Sequence, residues 1–368
     1  LYIQDNSLVQ NFYREKLERA GFAVQSVSSV EEGLRRMENT LPDVVLLDPL
    51  LQEGDAVRSI ASLRAAKGVG EIPMVVLPTI QRGLAESIEQ LGRTKLVEAA
   101  GNIVANVLSA AADAVNMKVP DLGEVADDGR PDEGWRRAAL NTAPAAVAEM
   151  RVTLHSVVRD PSGSEPLRTL LQNVHVLADR MSLLGPCAIS RVASALEVLA
   201  YGLVEIPDRL EPLTLRSLGQ AVDFLGALLE TGNSLKPSSV GSAHVMIVED
   251  EANARELIIM AMGLVGLTAD GLDSPTASLA VLSGQACDLI FLDINLPEMN
   301  GFELCTKLRE ISFHEKTPVV FITGMNSFQN RVQSNLSGGN DFVGKPFNIA
   351  ELGLKALIWV LRGQFGMT

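Results

Sequence analysis

The sequence predicts an α/β protein with an all-α centre, in which two doubly wound parallel sheets flank a four-helix bundle. Two observations support this prediction. From His244 onwards, short β-branched runs alternate with segments of helical length, and residues 1–115 repeat the same alternation. Between these regions, residues 135–230 place apolar residues at helical spacing and show no alternating strand pattern.

Five short apolar runs in the C-terminal region predict the strands of one sheet. They are residues 245–248, a weak run at 267–269, then 289–292, 319–322 and 341–343. The segments between and after these runs predict helices at 252–265, 275–284, 301–311, 327–337 and 348–362. Because the connections are short and strands alternate with helices, we expect a parallel sheet with helices on both faces.

The N-terminal region repeats this order of elements. Its predicted strands are the runs LYI, FAVQSV, DVVLL, 74–77 and 95–97, and its predicted helices are 7–20, 29–39, one near 55–66, 81–91 and 98–114. Thirty residues separate Asp48 from Pro78, and the same number separates Asp293 from Thr323. An internal duplication on either side of the helical region is the simplest explanation.

Two polar stretches divide the chain into three predicted domains. Residues 116–134 are rich in Pro, Gly and Asp, and residues 231–243 are rich in Gly and Ser, so we expect both to be linkers. The predicted domains are therefore 1–115, 135–230 and 244–368. Within the middle domain, breaks at PSGSEP, at LGP and near EIPDR predict four helices.

Composition excludes several classes of partner. A net charge of −14 and an aromatic content of 4% argue against nucleic-acid binding. The sequence contains no run of eighteen apolar residues, so we do not expect membrane insertion. The three cysteines, Cys187, Cys287 and Cys305, have neither disulfide nor metal-ligand spacing. We expect buried free thiols in a cytoplasmic protein.

Polar residues stand at the ends of four predicted strands in the C-terminal region. Glu249 and Asp250 follow the first run, Asp293 the third, Thr323 the fourth, and Lys345 lies just after the fifth. The carboxyl ends of parallel strands meet at one edge of a sheet, where ligands bind. Three carboxylates, a hydroxyl and an ammonium at this edge predict a site for a divalent cation and a phosphoryl group, and hence a phosphorylation switch.

This C-terminal region resembles the receiver domain of two-component response regulators, a flavodoxin-like (βα)5 fold. The resemblance implies that Asp293 is the phosphoacceptor beside an acidic pocket of Glu249 and Asp250. It implies a Mg²⁺ site formed by Asp250, Asp293, the backbone carbonyl of Asn295 and Glu249, the last through a water. It also implies that Thr323 and Lys345 contact the phosphoryl group and that Phe342 is the aromatic switch residue.

The N-terminal region resembles a receiver less completely. Asp48 stands at the phosphoacceptor position and Asp5 at one acidic position, but Gln4 replaces the second acid. Pro78 occupies the hydroxyl position, and no Lys-Pro pair follows the last predicted strand. We expect a degenerate copy. A working acceptor at Asp48 and a pseudo-receiver used for docking or dimerisation remain alternatives.

The segment HVLADRMSLLG in the middle domain resembles a histidine phosphotransfer domain. His175, Leu177, Leu184 and Gly185 match the spacing of that motif. The departures are Ala178 in place of a lysine and Asp179 in place of a glycine, which brings a negative charge to the face of the histidine. Two alternatives follow for the middle domain. Either His175 is a second phosphoacceptor, or the bundle is non-catalytic and retained for docking.

Together these patterns predict a response regulator that is phosphorylated on Asp293 with Mg²⁺ and signals through protein–protein contacts. One alternative is a phosphorelay intermediate that exchanges phosphate between His175 and a receiver aspartate. Another is a scaffold or sequestering protein tuned by phosphorylation. The expected partners are a sensor histidine kinase or phosphotransfer protein and a downstream protein target, with a homodimer as an option. We do not expect an enzyme beyond self-phosphorylation and self-dephosphorylation.

Overall fold

The computed structural model describes most of the chain. The described residues are 1–5, 7–48, 56–66, 68–77, 93–97, 103–116, 133–161, 163–182, 184–185, 187–207, 210–235, 240–324 and 337–367. The chain forms two compact units. The first unit comprises Leu1–Ala143 and His175–Gly185, and the second comprises Pro144–Val174 and Pro186–Thr368.

The first unit contains a five-stranded parallel sheet. Its strands are β1 (Tyr2–Ile3), β2 (Ser26–Val27), β3 (Val45–Leu47), β4 (Met74–Val76) and β5 (Thr94–Leu96), in the order β2-β1-β3-β4-β5. The helices described in this region are α1 (Ser7–Arg19), α2 (Val30–Met37), α3 (Ala56–Ala65) and α4 (Ile103–Ala114). The predicted helix 81–91 lies outside the described residues.

Both faces of this sheet are buried, because alternate strand residues enter two different apolar clusters. Leu46 and Val75 pack with residues of α1 and α4 on one face. Leu47 and Val76 pack with residues of α2 and α3 on the other face. Successive side chains of a strand point to opposite faces, so an apolar run without alternation is what a sheet covered on both sides requires.

Four helices follow in the central region, with bounds close to the predicted blocks. They are α5 (Glu133–Arg159), α6 (Ser164–Ser182), α7 (Ala188–Glu205) and α8 (Pro212–Glu230). Gly185, with φ of +78°, follows α6 at the predicted break. Pro212 opens α8, where its missing N–H and fixed φ cost little. The assembly of these helices as one bundle stays a prediction.

The second unit contains a second five-stranded parallel sheet with the same strand order. Its strands are β6 (His244–Val248), β7 (Thr268–Leu272), β8 (Leu289–Asp293), β9 (Val319–Thr323) and β10 (Asp341–Gly344), in the order β7-β6-β8-β9-β10. The helices described in the region of this sheet are α9 (Ala252–Leu264), α10 (Pro275–Leu282), α11 (Gly301–Arg309) and α12 (Ile349–Phe365). Helices α9 and α12 pack together, and α10 packs with α11.

The prediction of two parallel five-stranded sheets with helices is confirmed. The weak run at 267–269 proves to be the start of a full strand that extends to Leu272 and pairs with β6. Helix α12 extends three residues beyond its predicted end and stops at Gly366, whose φ of +64° suits a left-handed cap. The predicted helix 327–337 lies almost wholly outside the described residues.

Two further predictions can be compared with the described part of the chain. Cys187, Cys287 and Cys305 are buried free thiols, as expected. Burial raises the pKa of the Cys287 thiol to about 12, and burial also raises that of Cys305. Among the described residues, no helix combines the length and the apolar character needed to cross a bilayer.

Candidate functional site

Asp293 is the last residue of β8, the central strand of the second sheet, and its side chain is buried. Its Oδ1 accepts a hydrogen bond of 3.0 Å from the backbone N–H of Asn295. The chain then folds back closely, because the N–H of Gly301 donates to the carbonyl of Ile294 at 3.0 Å. A Cβ atom on Gly301 would collide with the carbonyl oxygen of Asp293, so any side chain here would force the backbone to shift.

Lys345 brings a cation to this strand end. It directly follows β10, one of the two edge strands, and its Nζ lies 2.7 Å from Oδ2 of Asp293. The same Nζ lies 2.9 and 2.8 Å from the two carboxylate oxygens of Glu249, the residue after β6. Residues separated by 96 positions thus meet because three parallel strands end at the same edge of the sheet.

The charges at this edge alter the pKa of two of these groups. Burial raises the pKa of Glu249 to about 7; the hydrogen bond from Lys345 opposes this shift, and the nearby Asp293 adds to it. For Lys345, burial lowers the pKa, but the hydrogen bonds to Asp293 and Glu249 outweigh burial, and the net change is upward. Lys345 therefore remains charged near neutral pH and holds two carboxylates that would otherwise repel each other.

Asp250 completes an acidic group with Glu249 and Asp293. One carboxylate oxygen from each of the three lies within 4.8 Å of the others. Glu249 and Asp293 are buried whereas Asp250 is exposed, so the group is open to solvent on one side. Oxygen ligands at this separation suit a hard divalent cation such as Mg²⁺. The part assigned to the backbone carbonyl of Asn295 stays a prediction.

The two predicted switch residues lie on neighbouring strands. Thr323 ends β9, and its backbone is in register with Gly344 of β10. The side chain of Thr323 lies outside the described part of the structure, so its predicted contact with phosphate stays a prediction. Phe342 on β10 is mostly buried in the same apolar cluster as Phe302 and Phe321.

The corresponding pocket of the first unit is built differently. Asp48 follows β3 and is buried, and its Oδ2 accepts a hydrogen bond of 2.6 Å from Nε2 of Gln4. A neutral amide donor therefore stands where the second unit has Glu249. Lys95 lies within β5, as the sequence indicates, and its ammonium pairs with Asp113 at 3.7 Å on the surface.

His175 lies at this pocket, so the two possible second phosphoacceptors, Asp48 and His175, are neighbours. Its Nε2 is 3.5 Å from Oδ1 of Asp48, and both side chains are largely buried. Asp179 stands one helical turn further along α6, and one ligand atom each from Asp48, His175 and Asp179 lies within 4.8 Å of the others. Burial raises the pKa of the adjacent Tyr2 well above its usual value, and Asp179 and Asp48 add to the shift.

Sequence reasoning missed a second polar network in the second unit. Its members lie on α8, β10 and α12 and are Arg216, Asp341, Glu351 and Lys355. Two charged residues within the apolar stretch IAELGLKALIW of α12 were the available signal, because a charge inside an apolar helix usually has a buried partner.

Comparison with known families gives the C-terminal region its identity. Residues 245–356 match the family described as "Response regulator receiver domain". Residues 245–356 are a receiver domain. The predicted resemblance is thus confirmed for this region, which supports a response regulator. The matched part of the chain includes Glu249, Asp250, Asp293 and Lys345.

Several known proteins are similar to this receiver domain. The transcriptional regulatory protein TcrA of Mycobacterium tuberculosis is 32% identical over 113 residues, which cover 31% of this chain and 44% of TcrA. The transcriptional regulatory protein SrrA of Staphylococcus aureus is 34% identical over 125 residues, which cover 33% of this chain and 50% of SrrA. The chain therefore spans about half the length of these curated relatives.

A similar solved structure is the chemotaxis response regulator CheY4 of Vibrio cholerae. It is 28% identical, with a TM-score of 0.31, and the match covers 32% of this chain and 98% of that chain.

Proposed function

We propose that this protein is a two-component response regulator that accepts a phosphoryl group on Asp293 and signals through protein–protein contacts. The observation that carries the proposal is the contact of Lys345 Nζ with Asp293 at 2.7 Å and with Glu249 at 2.8 Å, beside the exposed Asp250. The arrangement combines a nucleophilic carboxylate, a fixed cation and an opening to solvent in one pocket.

The chemical step transfers a phosphoryl group from an oxygen or nitrogen atom of the donor to a carboxylate oxygen of Asp293. One carboxylate oxygen of Asp293 forms a bond to phosphorus while the bond from phosphorus to the donor's leaving atom breaks, and the leaving group keeps the electron pair. The hydrogen bond from Asn295 N–H to Oδ1 fixes the orientation of the carboxylate. The ammonium of Lys345, which pairs with the Asp293 carboxylate before the reaction, can donate to the negatively charged equatorial oxygens of the phosphoryl group after it.

The acidic group would hold Mg²⁺ through Asp250, Asp293 and, through a water, Glu249. When bound, the ion would supply positive charge that offsets the charge of the phosphoryl oxygens. The donor set supports this assignment because it consists of carboxylates, one of them exposed. Burial and the neighbouring Asp293 raise the pKa of Glu249, and a bound cation would favour its charged form.

The donor would be a sensor histidine kinase or a phosphotransfer protein, and the output a contact with a protein target. TcrA and SrrA are named transcriptional regulatory proteins. For this chain we propose a protein target rather than a nucleic acid, because its net charge is −14. Beyond gaining and losing the phosphoryl group, we propose no enzymatic activity.

Intact-mass measurement after incubation with acetyl phosphate and Mg²⁺ tests the proposal. We expect the full chain to gain the mass of one phosphoryl group and the Asp293→Asn variant to lose this gain. The reason is that the amide is a poor nucleophile and carries no charge for Lys345 to hold. Asp273→Asn is the matched control, because it removes an exposed carboxylate from the same receiver domain.

The variants separate the alternatives. An adduct that survives in Asp293→Asn but disappears in Asp48→Asn would place the acceptor in the first unit and contradict the proposal. If neither acetyl phosphate nor a cognate kinase labels any variant, a scaffold or sequestering protein becomes the better interpretation.

A second candidate function is phosphoryl exchange between His175 and Asp48, and the 3.5 Å contact between their side chains favours it. In this reaction the bond from phosphorus to the Asp48 oxygen would break as a bond to Nε2 of His175 forms, or the reverse. The two atoms would have to separate to admit the phosphoryl group. Asp179 on the same helix face would oppose its negative charge.

Chemical stability of the adduct distinguishes this exchange from phosphorylation at Asp293. In the Asp293→Asn background, we expect exchange to give an acid-labile, base-stable phosphoramidate that is lost on His175→Gln substitution. Asp179→Gly should increase its yield, since it removes the like charge. The exposed His155 provides the control variant His155→Gln. This candidate would be contradicted if Asp293→Asn gave no acid-labile adduct, either alone or together with Asp179→Gly.

A further inference from the structure

The β10–α12 surface is formed by Asp341–Gly344 of β10 and Ile349–Phe365 of α12. Helices α7 and α8 of the same unit both pack against α12, and α8 also contacts β10. The apolar part of the contact is continuous with the core of the receiver domain. Leu213 at the start of α8 belongs to the same buried cluster as Phe342 and Phe302. Helix α8 therefore packs as part of the domain core rather than touching the domain at its rim.

Glu351 of α12 forms the first polar contact of this interface. The side chain is only 4% exposed, and both of its oxygens accept hydrogen bonds from α8. Thr214 Oγ1 donates to Oε2 at 3.0 Å, and Ser217 Oγ donates to Oε1 at 2.5 Å. A buried carboxylate is costly unless its oxygens are bonded, so these two donors fix the position of α8 along α12.

Lys355 forms the second contact, one turn further along α12. It is 2% exposed, and its Nζ donates to Gln220 Oε1 of α8 at 2.9 Å and to Asp341 Oδ2 of β10 at 2.7 Å. One ammonium thus links α8, the strand and the helix.

Arg216 forms the third contact and lies at the edge of the interface. Its guanidinium carbon is 4.9 Å from the centroid of the Phe342 ring, and Nη2 is 3.7 Å from Oδ1 of Asp341. The Arg216 side chain is 44% exposed, so it contacts the strand without supporting the core. Arg216 therefore touches two neighbouring residues of β10 at once.

Strand β10 connects these contacts directly with the phosphoacceptor pocket. Lys345, which holds Asp293 at 2.7 Å, lies three residues after Phe342 on the same stretch of chain. At about 3.3 Å per residue, this is a path of about 10 Å along an extended backbone. A phosphoryl group on Asp293 would offer Lys345 new oxygen partners, and a shift of the Lys345 backbone would pass along β10 to Phe342 and Asp341.

We propose that the partner of the β10–α12 surface is helix α8 of the same chain, and that Arg216 reads the phosphorylation state of Asp293. The inference rests on the proposed function of Asp293. All three contacts are formed while Lys345 is paired with the unmodified carboxylate, so α8 is complementary to this state of the domain. We therefore expect a ligand that shifts β10 to weaken the contact with α8.

Coupling of this kind is reciprocal at equilibrium, which gives a clean test. The probe is beryllium fluoride with Mg²⁺, a non-covalent mimic of the phosphoryl group. We expect the mimic to accelerate deuterium exchange of backbone amides in residues 215–220 of the full chain. We also expect Arg216→Ala to bind the mimic about two- to fivefold more tightly than wild type, which corresponds to the loss of one cation–π contact.

Three further variants make the test decisive. Arg168→Ala removes an exposed arginine from α6 and should match wild type. Arg216→Lys retains the charge but not the planar guanidinium, so its affinity should lie between those of Arg216→Ala and wild type. Asp293→Asn should abolish both binding and the change in exchange.

The outcomes separate this inference from the proposed function. Binding that requires Asp293, with unchanged exchange in residues 215–220 and unchanged affinity in Arg216→Ala, would overturn the role of α8 and leave the phosphoacceptor intact. An equal affinity change in Arg168→Ala would overturn it as well. Failure of the mimic to bind, together with absence of an acetyl-phosphate adduct on Asp293, would remove the proposed function and this inference with it.

Discussion

Replacement of Lys355 by alanine is expected to lower the free energy of unfolding of the second unit by about 3–5 kcal/mol, the usual cost of breaking a buried ion pair. Lys355 is almost completely buried and lies 2.7 Å from Asp341, whose side chain is fully buried. Without the ammonium, the partners of this carboxylate among the described residues would be the indole N–H of Trp359 at 3.3 Å, the Phe342 N–H and the more distant Arg216.

Urea unfolding of the full chain, followed by tryptophan fluorescence, measures this effect, since Trp359 contacts the same carboxylate. Lys307→Ala is the matched control, because it removes an exposed lysine from α11 of the same unit. Asp341→Asn combined with Lys355→Met should be less destabilised than Lys355→Ala alone, because no unpaired charge remains buried. Equal losses in Lys355→Ala and Lys307→Ala would refute the buried-pair argument.

Gly301→Ala is expected to slow phosphorylation of Asp293 by about tenfold to a hundredfold, a range typical of a displaced reacting group. The added Cβ would collide with the carbonyl oxygen of Asp293 and would lie 3.0 Å from Cα of Ile294. Both neighbours are backbone atoms, so the strand end itself must shift. We also expect a loss of about 1–3 kcal/mol in the free energy of unfolding, as for other overpacked sites.

The rate of adduct formation with acetyl phosphate and Mg²⁺, read by intact mass, tests this expectation. Gly284→Ala supplies the control, since its nearest neighbour across the added Cβ is the Val281 carbonyl oxygen at 3.8 Å, an ordinary contact. If Gly301→Ala is phosphorylated as fast as Gly284→Ala, the close approach does not position Asp293.

The sheets were predictable because each strand is marked by an apolar run within its own short segment of sequence. Runs such as LIFL at 289–292 and VVFI at 319–322 are buried on both faces, so the sequence carries the whole strand signal without reference to other segments. Strand β7 gave a weak signal because its residues TADGL are only partly buried. Its position at the edge of the sheet relaxes the demand for apolar side chains.

The main site was predictable for a similar reason. Parallel strands bring their carboxyl ends to one edge, so the order of residues along the chain predicts that Glu249, Asp293 and Lys345 lie close together. The 2.7 Å contact between Lys345 and Asp293 agrees with that prediction.

Contacts between elements that are distant in sequence were beyond sequence reasoning. Arg216 meets Phe342 and Asp341 only because α8 packs on α12, and no pattern within α8 indicates this partner. The approach of His175 to Asp48 likewise depends on tertiary packing of two segments, each of which matches its motif incompletely. The sequence allowed the motifs around His175 and Asp48 to be evaluated separately, but it did not predict the distance between these two side chains.

The hydrogen bond from Gln4 to Asp48 has an electrostatic consequence when it is compared with the bonds of Lys345. At the strand ends of the second unit, three carboxylates are offset by an ammonium, whereas an amide in the first unit takes the place of one of the acids. An amide in place of a carboxylate carries no negative charge and donates a hydrogen bond to Asp48, so less charge at these strand ends remains for a cation to balance.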